Sequence, residues 1–138
     1  MRRDDIIAAA RGLIGTPFAH QGRTPGVAMD CGGVVVHLLG LMGIAYDVDG
    51  YSRLPDGDSL IRVVDGALER IARDAYRPAD VVAVRISRHP QHLALVTDYG
   101  LLHAWQRVWS PASVVEHTLT DDWRARIVAA WQFPGVID

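Results

Sequence analysis

The chain holds one cysteine, and the residues around it suggest nucleophilic chemistry. Cys31 follows Asp30, precedes Gly32 and Gly33, and leads into an apolar run. At a helix N-terminus, unpaired N–H groups lower the pKa of a thiol and can hold an oxyanion. The sequence therefore favours a nucleophilic Cys31 with a lowered pKa. The alternative is that Cys31 is a small buried apolar residue, as free cysteines often are.

A nucleophilic thiol needs a general base, and histidines are the candidates. The chain has six: His20, His37, His89, His92, His103 and His117. His37 comes six residues after Cys31, about 120° around a helix, and is a poor partner. His89 is expected in an exposed loop, and His117, late in a strand, is interpreted as structural. His20, in the loop before the cysteine, either lines a site or is a surface residue.

His92 and His103 bracket "LALVTDYGLL", which predicts a β-hairpin. A two-residue loop at Asp98-Tyr99 places both histidines on one sheet face as diagonal neighbours, about 7–8 Å apart. A three-residue loop places them on opposite faces. In the first geometry, one nitrogen of His92 accepts the proton of Cys31. The other donates to His103, which orients the ring.

The elements that must position these residues change in type along the chain. Apolar spacing predicts a helix between Asp4 and Ile14, a loop over 15–30 and a helix over 58–74. In residues 31–44, three consecutive valines and several glycines favour a strand, but the helical apolar spacing and the length of the run favour a helix, which we predict. Short strands are predicted over 80–86, 92–98, 101–108, 113–119 and 126–133. The sequence therefore predicts a single α+β domain over 1–138, with N-terminal helices packed on a mostly antiparallel sheet of about five strands.

Composition narrows the function classes. A net charge of -2 gives no general attraction to nucleic acid or to anionic membranes, and a single cysteine excludes an internal disulfide. We find no signal-peptide pattern and no segment long enough to span a membrane, so we expect a cytoplasmic protein when synthesised, without membrane insertion. "HPQH" has HxxH spacing, but it lies on a turn and strand, and no CxxC pair accompanies it. Zinc is therefore not predicted.

Several motifs together resemble the NlpC family of cell-wall cysteine peptidases. In chain order they are "ARGLIGTPFAHQG" (10–22), "DCGG" (30–33), "PADVVAVR" (78–85), "QHLALVTDYGLLHA" (91–104) and "RIVAAWQFPG" (126–135). The "GTPFAHQ" opening and the "FPG" ending look most like the branch encoded in phage-tail and gene-transfer-agent gene clusters.

The resemblance implies a reduced papain-like fold and assigns roles to three residues. Cys31 matches the nucleophile, His92 the general base and His103 the polar residue that orients it. The implied substrate is the peptidoglycan stem peptide, often cut between D-γ-glutamate and a diamino acid. No metal and no cofactor are implied. The phage-tail branch implies tail proteins as partners and delivery to the cell wall within a phage-like particle.

The candidate substrate-binding residues are Asp30, Gly32, Phe18 and His20, and two of them depart from the family pattern. Phe18 stands where the family usually has tyrosine, and Gly32 replaces the common serine. Asp30 either holds the loop or meets a substrate amine. The alternatives are an inert structural or peptidoglycan-binding tail component with the same fold, and acyl transfer or amidase chemistry by the same residues.

Overall fold

The computed structural model describes residues 1–52, 55–105 and 112–138. Four helices are present in this part of the chain: α1 (Arg3–Arg11), α2 (Cys31–Leu41), α3 (Ser59–Asp65) and α4 (Asp121–Ala125). Eight strands accompany them: β1 (Arg23–Thr24), β2 (Ala28–Met29), β3 (Glu69–Ile71), β4 (Val81–Ile86), β5 (His89–Val96), β6 (Gly100–Trp105), β7 (Ser113–Thr118) and β8 (Ile127–Gln132).

Six of the strands form one antiparallel sheet in the order β3-β8-β4-β5-β6-β7. The short strands β1 and β2 pair separately within the loop that precedes α2. These features confirm the predicted α+β fold with N-terminal helices and a mainly antiparallel sheet. The described part of the sheet has one strand more than the five expected.

The additional strand lies in the segment 58–74, which the sequence predicted as one helix. The helix ends at Asp65 with Gly66 as its C-cap, and Glu69–Ile71 then pairs with β8. The apolar spacing continues past the helix end because Leu68, which lies beyond the helix, is also buried in the core. Pairing with β8 therefore outweighs the helical pattern, as tertiary context often does.

Two boundaries near the predicted hairpin also differ. The segment "SRHPQ" was expected to be a loop, but β5 already begins at His89, whose Nδ1 accepts a hydrogen bond from the backbone of Gly57 at 3.1 Å. The positive φ of Ser87 allows β4 and β5 to turn tightly before that point. Strand β6 begins at Gly100; residues 106–108 of the predicted strand 101–108 lie outside the described residues.

The two faces of the sheet are both buried, and each belongs to a different apolar cluster. Alternate residues such as Val81, Leu93 and Leu102 pack with α1 and α2 in the larger cluster. The intervening residues form a smaller cluster on the opposite face, which Trp123 of α4 helps to cover. This alternation follows from the two-residue period of a strand. Among the described residues, no helix is long and apolar enough to cross a bilayer.

Candidate active site

The first turn of α2 fixes the position of Cys31. Asp30 is the N-cap, and its Oδ1 accepts a hydrogen bond from the backbone N–H of Gly33 at 2.8 Å. This cap stabilises a helix whose interior carries several glycines, each of which disfavours helix by about 1 kcal/mol. The apolar residues Val34, Val35, Leu38 and Leu39 are buried against the sheet. Capping and burial together make Cys31 the first residue of the helix.

The sulfur of Cys31 lies beside strand β5, at a point where β5 is not paired with β6. The β5–β6 ladder pairs Leu95 with Leu102 and Val96 with Leu101. N–H groups of alternate residues point to the same side of a strand, so the N–H of Leu93 points towards β6, like that of Thr97. The backbone N–H of Leu93 instead bonds the Cys31 sulfur. The thiol is therefore held next to residue 92 by main-chain geometry.

The prediction of a lowered thiol pKa is wrong for this environment. Burial, with a smaller effect of the negative charge of Asp30, raises the pKa of Cys31 to about 11. The N–H groups of Leu93 and Gly32 act in the opposite direction but do not offset the loss of hydration. Cys31 is part-buried and carries its proton at neutral pH. An attack by its sulfur must therefore be coupled to removal of that proton.

The β5–β6 hairpin has the two-residue loop Asp98-Tyr99. The N–H of Thr97 donates to the carbonyl of Gly100 at 2.8 Å, and this register places His92 and His103 on one face. Nε2 of His92 is hydrogen-bonded to Nδ1 of His103, and both side chains are buried. Burial lowers the pKa of His92 to about 3. His92 is therefore a neutral imidazole with Nδ1 free of the His103 bond.

His117 extends this histidine pair, although its sequence context gave no sign of it. Its Nε2 lies 2.7 Å from Nε2 of His103, and its Nδ1 lies 2.9 Å from the carbonyl oxygen of Thr118. The β6–β7 register explains the contact between His103 and His117. His117 pairs directly with Leu101, two residues before His103, so His117 and His103 are diagonal neighbours on the same face of the sheet. The signal that could have found it is this register, which requires knowing where β7 begins.

Two tryptophans enclose the three histidines. The ring of His103 stacks on Trp105 with centroids 5.7 Å apart and an interplanar angle of 11°. Trp123 meets His103 edge-on at 5.2 Å and also contacts His117 at 5.2 Å. Aromatic walls of this kind restrict the histidine rings and limit the water that reaches them.

Asp30 takes part in a second polar cluster at the other side of Cys31. Its Oδ1 accepts from Arg23 at 2.7 Å as well as from Gly33. Its Oδ2 accepts from the backbone N–H of Gln21 at 2.8 Å and from the hydroxyl of Tyr51. Four protein donors therefore bind a carboxylate that is only 4% exposed. This geometry gives Asp30 a structural role and leaves its oxygens engaged within the protein.

Arg23 and Tyr51 join this cluster without having been identified from the sequence. Nη2 of Arg23 donates to the Tyr51 hydroxyl at 2.7 Å, and Nε of Arg23 donates to Asp47 at 3.0 Å. Burial and the hydrogen bond to Asp30 raise the pKa of Tyr51 above its usual range. Its hydroxyl is thus a protonated donor at the mouth of the site. An arginine and a tyrosine far apart in the sequence carry no spacing signal that would pair them.

A cavity of about 600 Å³ connects the Cys31 sulfur, the His92 ring and this polar cluster. Cys31, His92, Asp30, Arg23 and Tyr51 all contribute to its wall. Apolar side chains supply much of the remaining wall: Phe18, Val35, Val36, Leu39, Val48, Leu60, Val63, Val64, Ile86 and Trp105. The volume is in the range of small-ligand sites.

The other sequence-predicted residues divide between this cavity and the outside of the protein. Phe18, His20 and Gly32 all line the cavity. Nε2 of His20 lies 3.0 Å from the carbonyl oxygen of Tyr51, so this histidine supports the loop that carries Tyr51. His37 is part-exposed on α2 and is not among the described residues of the cavity wall.

Within residues 1–52, 55–105 and 112–138, no group of three or more His, Cys, Asp or Glu side chains is arranged to hold a metal ion. The HxxH pair illustrates why. His89 bonds the backbone of Gly57, whereas His92 bonds His103. The two rings of the motif therefore have separate partners within the protein.

Comparison with known proteins shows which solved structures share this fold. No family model and no curated protein matches the chain, but 28 chains in solved structures do. One is the NlpC/p60 domain of the peptidoglycan hydrolase SagA, with 21% identity, a TM-score of 0.66, and coverage of 96% of this chain and 100% of that domain. The chain therefore has the NlpC/P60 fold, a papain-like arrangement.

Two further structures are similar over nearly the whole chain. An NlpC/P60 family protein from Bacillus cereus ATCC 10987 has 16% identity, a TM-score of 0.64 and 95% coverage of this chain. A protein similar to lipoprotein of the NLP/P60 family, from Staphylococcus aureus subsp. aureus Mu50, has 16% identity, a TM-score of 0.62 and 99% coverage. The match spans 40% of the first and 42% of the second of those longer chains.

Proposed function

We propose that this chain is a cysteine hydrolase that cleaves peptide bonds of peptidoglycan through a thioester acyl-enzyme. The observation that carries the proposal is the shared cavity of Cys31 and His92, with His92 hydrogen-bonded to the buried His103. The nucleophile, the base and the group that orients the base come from α2, β5 and β6. We treat residues 1–138 as one catalytic domain.

The protonation states suggest how the reaction starts. Because Cys31 is a thiol and His92 is neutral at pH 7, His92 accepts the thiol proton as the sulfur attacks the substrate carbonyl. The C–N bond then breaks, and His92 returns the proton to the departing amine. The thioester is hydrolysed by a water molecule that His92 deprotonates. Water addition gives a second tetrahedral intermediate, which breaks down by losing the Cys31 sulfur. This step releases the carboxylic acid product, and the proton on His92 restores the Cys31 thiol.

The substrate class rests on the fold likeness to the peptidoglycan hydrolase SagA together with the sequence resemblance. The finer proposal is the bond between D-γ-glutamate and a diamino acid in a stem peptide. We also propose that the protein is made in the cytoplasm and reaches the wall within a phage-like particle, with tail proteins as partners. The motifs "GTPFAHQ" and "FPG" support this setting.

Digestion of purified peptidoglycan, followed by mass spectrometry of the fragments, tests the activity. Wild-type protein should release fragments with new amine and carboxyl ends. Cys31→Ala should reduce the rate by at least about 10³-fold, because the nucleophile is absent. His37→Ala is the matched control, a histidine on the same helix, and should retain the wild-type rate. Undiminished cleavage by Cys31→Ala would exclude the nucleophile assignment.

A second candidate function is binding to peptidoglycan without cleavage. The raised pKa of Cys31, about 11, and the phenyl ring of Phe18 in place of a phenol both favour it. In this case wild-type protein and Cys31→Ala should sediment equally with insoluble cell wall, while neither releases fragments. Fragment release that depends on Cys31 would exclude it.

A further inference from the structure

We propose that His117 is a positioning residue that, with the carbonyl of Thr118, sets the ring tautomers of His103 and His92. The result is an unprotonated Nδ1 on His92, the nitrogen available to accept the proton of Cys31. This inference rests on the proposed function for its catalytic meaning, but the tautomers themselves follow from the hydrogen-bond geometry of uncharged His103 and His117 rings.

The chain of tautomers begins at the backbone. A carbonyl oxygen can only accept, and that of Thr118 lies 2.9 Å from Nδ1 of His117, so this nitrogen carries the proton. In its uncharged form the His117 ring has one N–H group, and its Nε2 is then an acceptor. Nε2 of His103 lies 2.7 Å from that acceptor and must donate to it.

The tautomer of His92 is constrained in the same way. Because the proton of His103 is on Nε2, its Nδ1 is an acceptor, and Nε2 of His92 donates to it. The single proton of neutral His92 is therefore on Nε2, and its Nδ1 has a free lone pair. One main-chain carbonyl thus fixes the orientation of three successive N–H groups and leaves the correct nitrogen of the base unprotonated.

The surroundings make this control effective. His92 and His103 are buried, so bulk water cannot offer their nitrogens alternative partners. Trp105 and Trp123 both contact the ring of His103, at centroid distances of 5.7 Å and 5.2 Å, and contact each other at 5.3 Å. His117, which is part-exposed, is the outer member of the row and the one bonded to the main chain. A substitution that removes Nε2 of His117 removes the acceptor that holds the proton of His103 on its own Nε2.

Loss of this constraint should affect catalysis in a particular way. If the proton of His103 moves to Nδ1, Nε2 of His92 becomes the acceptor and Nδ1 of His92 carries the proton. That tautomer cannot remove a proton from Cys31. A locked wrong tautomer in a serine protease lowers kcat by about 10⁴-fold. A mixture of tautomers should cost less, on the order of 10-fold to 100-fold in kcat, without a comparable change in KM.

The test compares His117→Phe with His117→Gln. Phenylalanine preserves a ring beside Trp123 but provides no acceptor, whereas the glutamine amide can accept from His103 and donate to Thr118. Two-bond ¹H–¹⁵N spectra of protein with ¹⁵N-labelled histidine report the tautomer of His92 without any substrate. We expect the Nε2-protonated form in the wild type and in His117→Gln, and a shift towards the Nδ1-protonated form in His117→Phe.

Kinetics with the cell-wall substrate should follow the same order, with kcat restored by glutamine and lowered by phenylalanine. A wild-type His92 protonated on Nδ1, or a His117→Phe variant that keeps both the wild-type tautomer and kcat, overturns the inference. The wild-type spectrum decides even if His117→Phe does not fold. Failure of the proposed function appears separately, as absence of cleavage by a wild type whose His92 has the expected tautomer.

Discussion

Gly33 in the first turn of α2 lies directly against the backbone carbonyl of Gly22. A Cβ atom at Gly33 would be 2.3 Å from that oxygen, far inside any acceptable contact. The loop that precedes Cys31 and the helix that follows it are thus packed main chain against main chain. This close approach gives a physical reason for glycine at the second position after Cys31.

The first prediction concerns this contact. Gly33→Ala should lower the free energy of unfolding by about 1–3 kcal/mol or more, because backbone atoms must move to admit the methyl group. Gly40→Ala is the matched control on the same helix, where a Cβ meets nothing within 4 Å. It should raise stability by about 0.5–1 kcal/mol through helix propensity. Urea denaturation measures both, and equal effects of the two variants would contradict the packing argument.

The second prediction concerns the carboxylate that caps α2. Asp30→Ala removes a buried partner from Arg23, Tyr51 and the helix N-terminus and should cost about 3 kcal/mol of stability. Asp47→Ala removes the other carboxylate bound to Arg23, which is 49% exposed, and should cost less than about 1 kcal/mol. Thermal or urea unfolding distinguishes the two. Similar small losses of stability in the two variants would show that the hydrogen bonds of Asp30 do not stabilise the fold more than those of Asp47.

Local patterns were sufficient to predict much of this fold. The acids before Ile6 and the strand patterns after residue 80 each indicated the correct type of element. The segment that begins at Cys31 had features of both strand and helix, and its length and apolar spacing favoured the helix that forms. The two-residue hairpin loop was enough to bring His92 and His103 to one face. These features depend on residues close in sequence, where propensity and periodicity act directly.

Features that depend on contacts between residues far apart in the sequence could not be predicted from local patterns. β3 exists because β8 offers an unpaired edge, and the His103–His117 contact depends on the register of β7. The cluster around Asp30 joins Arg23 and Tyr51 across 28 residues of sequence. The thiol pKa was mispredicted for a related reason. Burial by residues from other elements decides its direction, and a helix N-terminus alone does not reveal that burial.

The third prediction concerns the reactivity of the Cys31 thiol, whose pKa is raised by burial. With a pKa of about 11, Cys31 in the folded protein should be alkylated slowly by iodoacetamide at pH 7.5. The rate should increase about tenfold per pH unit up to at least pH 10, without a plateau near neutrality. The same chain in concentrated urea is the control and should show a midpoint near the ordinary value of about 8.5. A folded-state midpoint below that value would show that the helix N-terminus and N–H donors outweigh burial.

The fourth prediction links the buried base to acid stability. Because burial lowers the pKa of His92 to about 3, the unfolded chain binds a proton at this residue below about pH 6.5 while the folded chain does not. The unfolded state is therefore favoured as pH falls from about 6.5 towards 3. Between pH 7 and pH 4.5 this should remove about 2–3 kcal/mol from the free energy of unfolding. His92→Gln eliminates the titrating group, so its urea-denaturation stability should decline less steeply with acid than that of the wild type. If the free energy of unfolding falls equally with acid in the two proteins, His92 gains its proton in the folded state as readily as in the unfolded one. That result would contradict a buried, neutral His92.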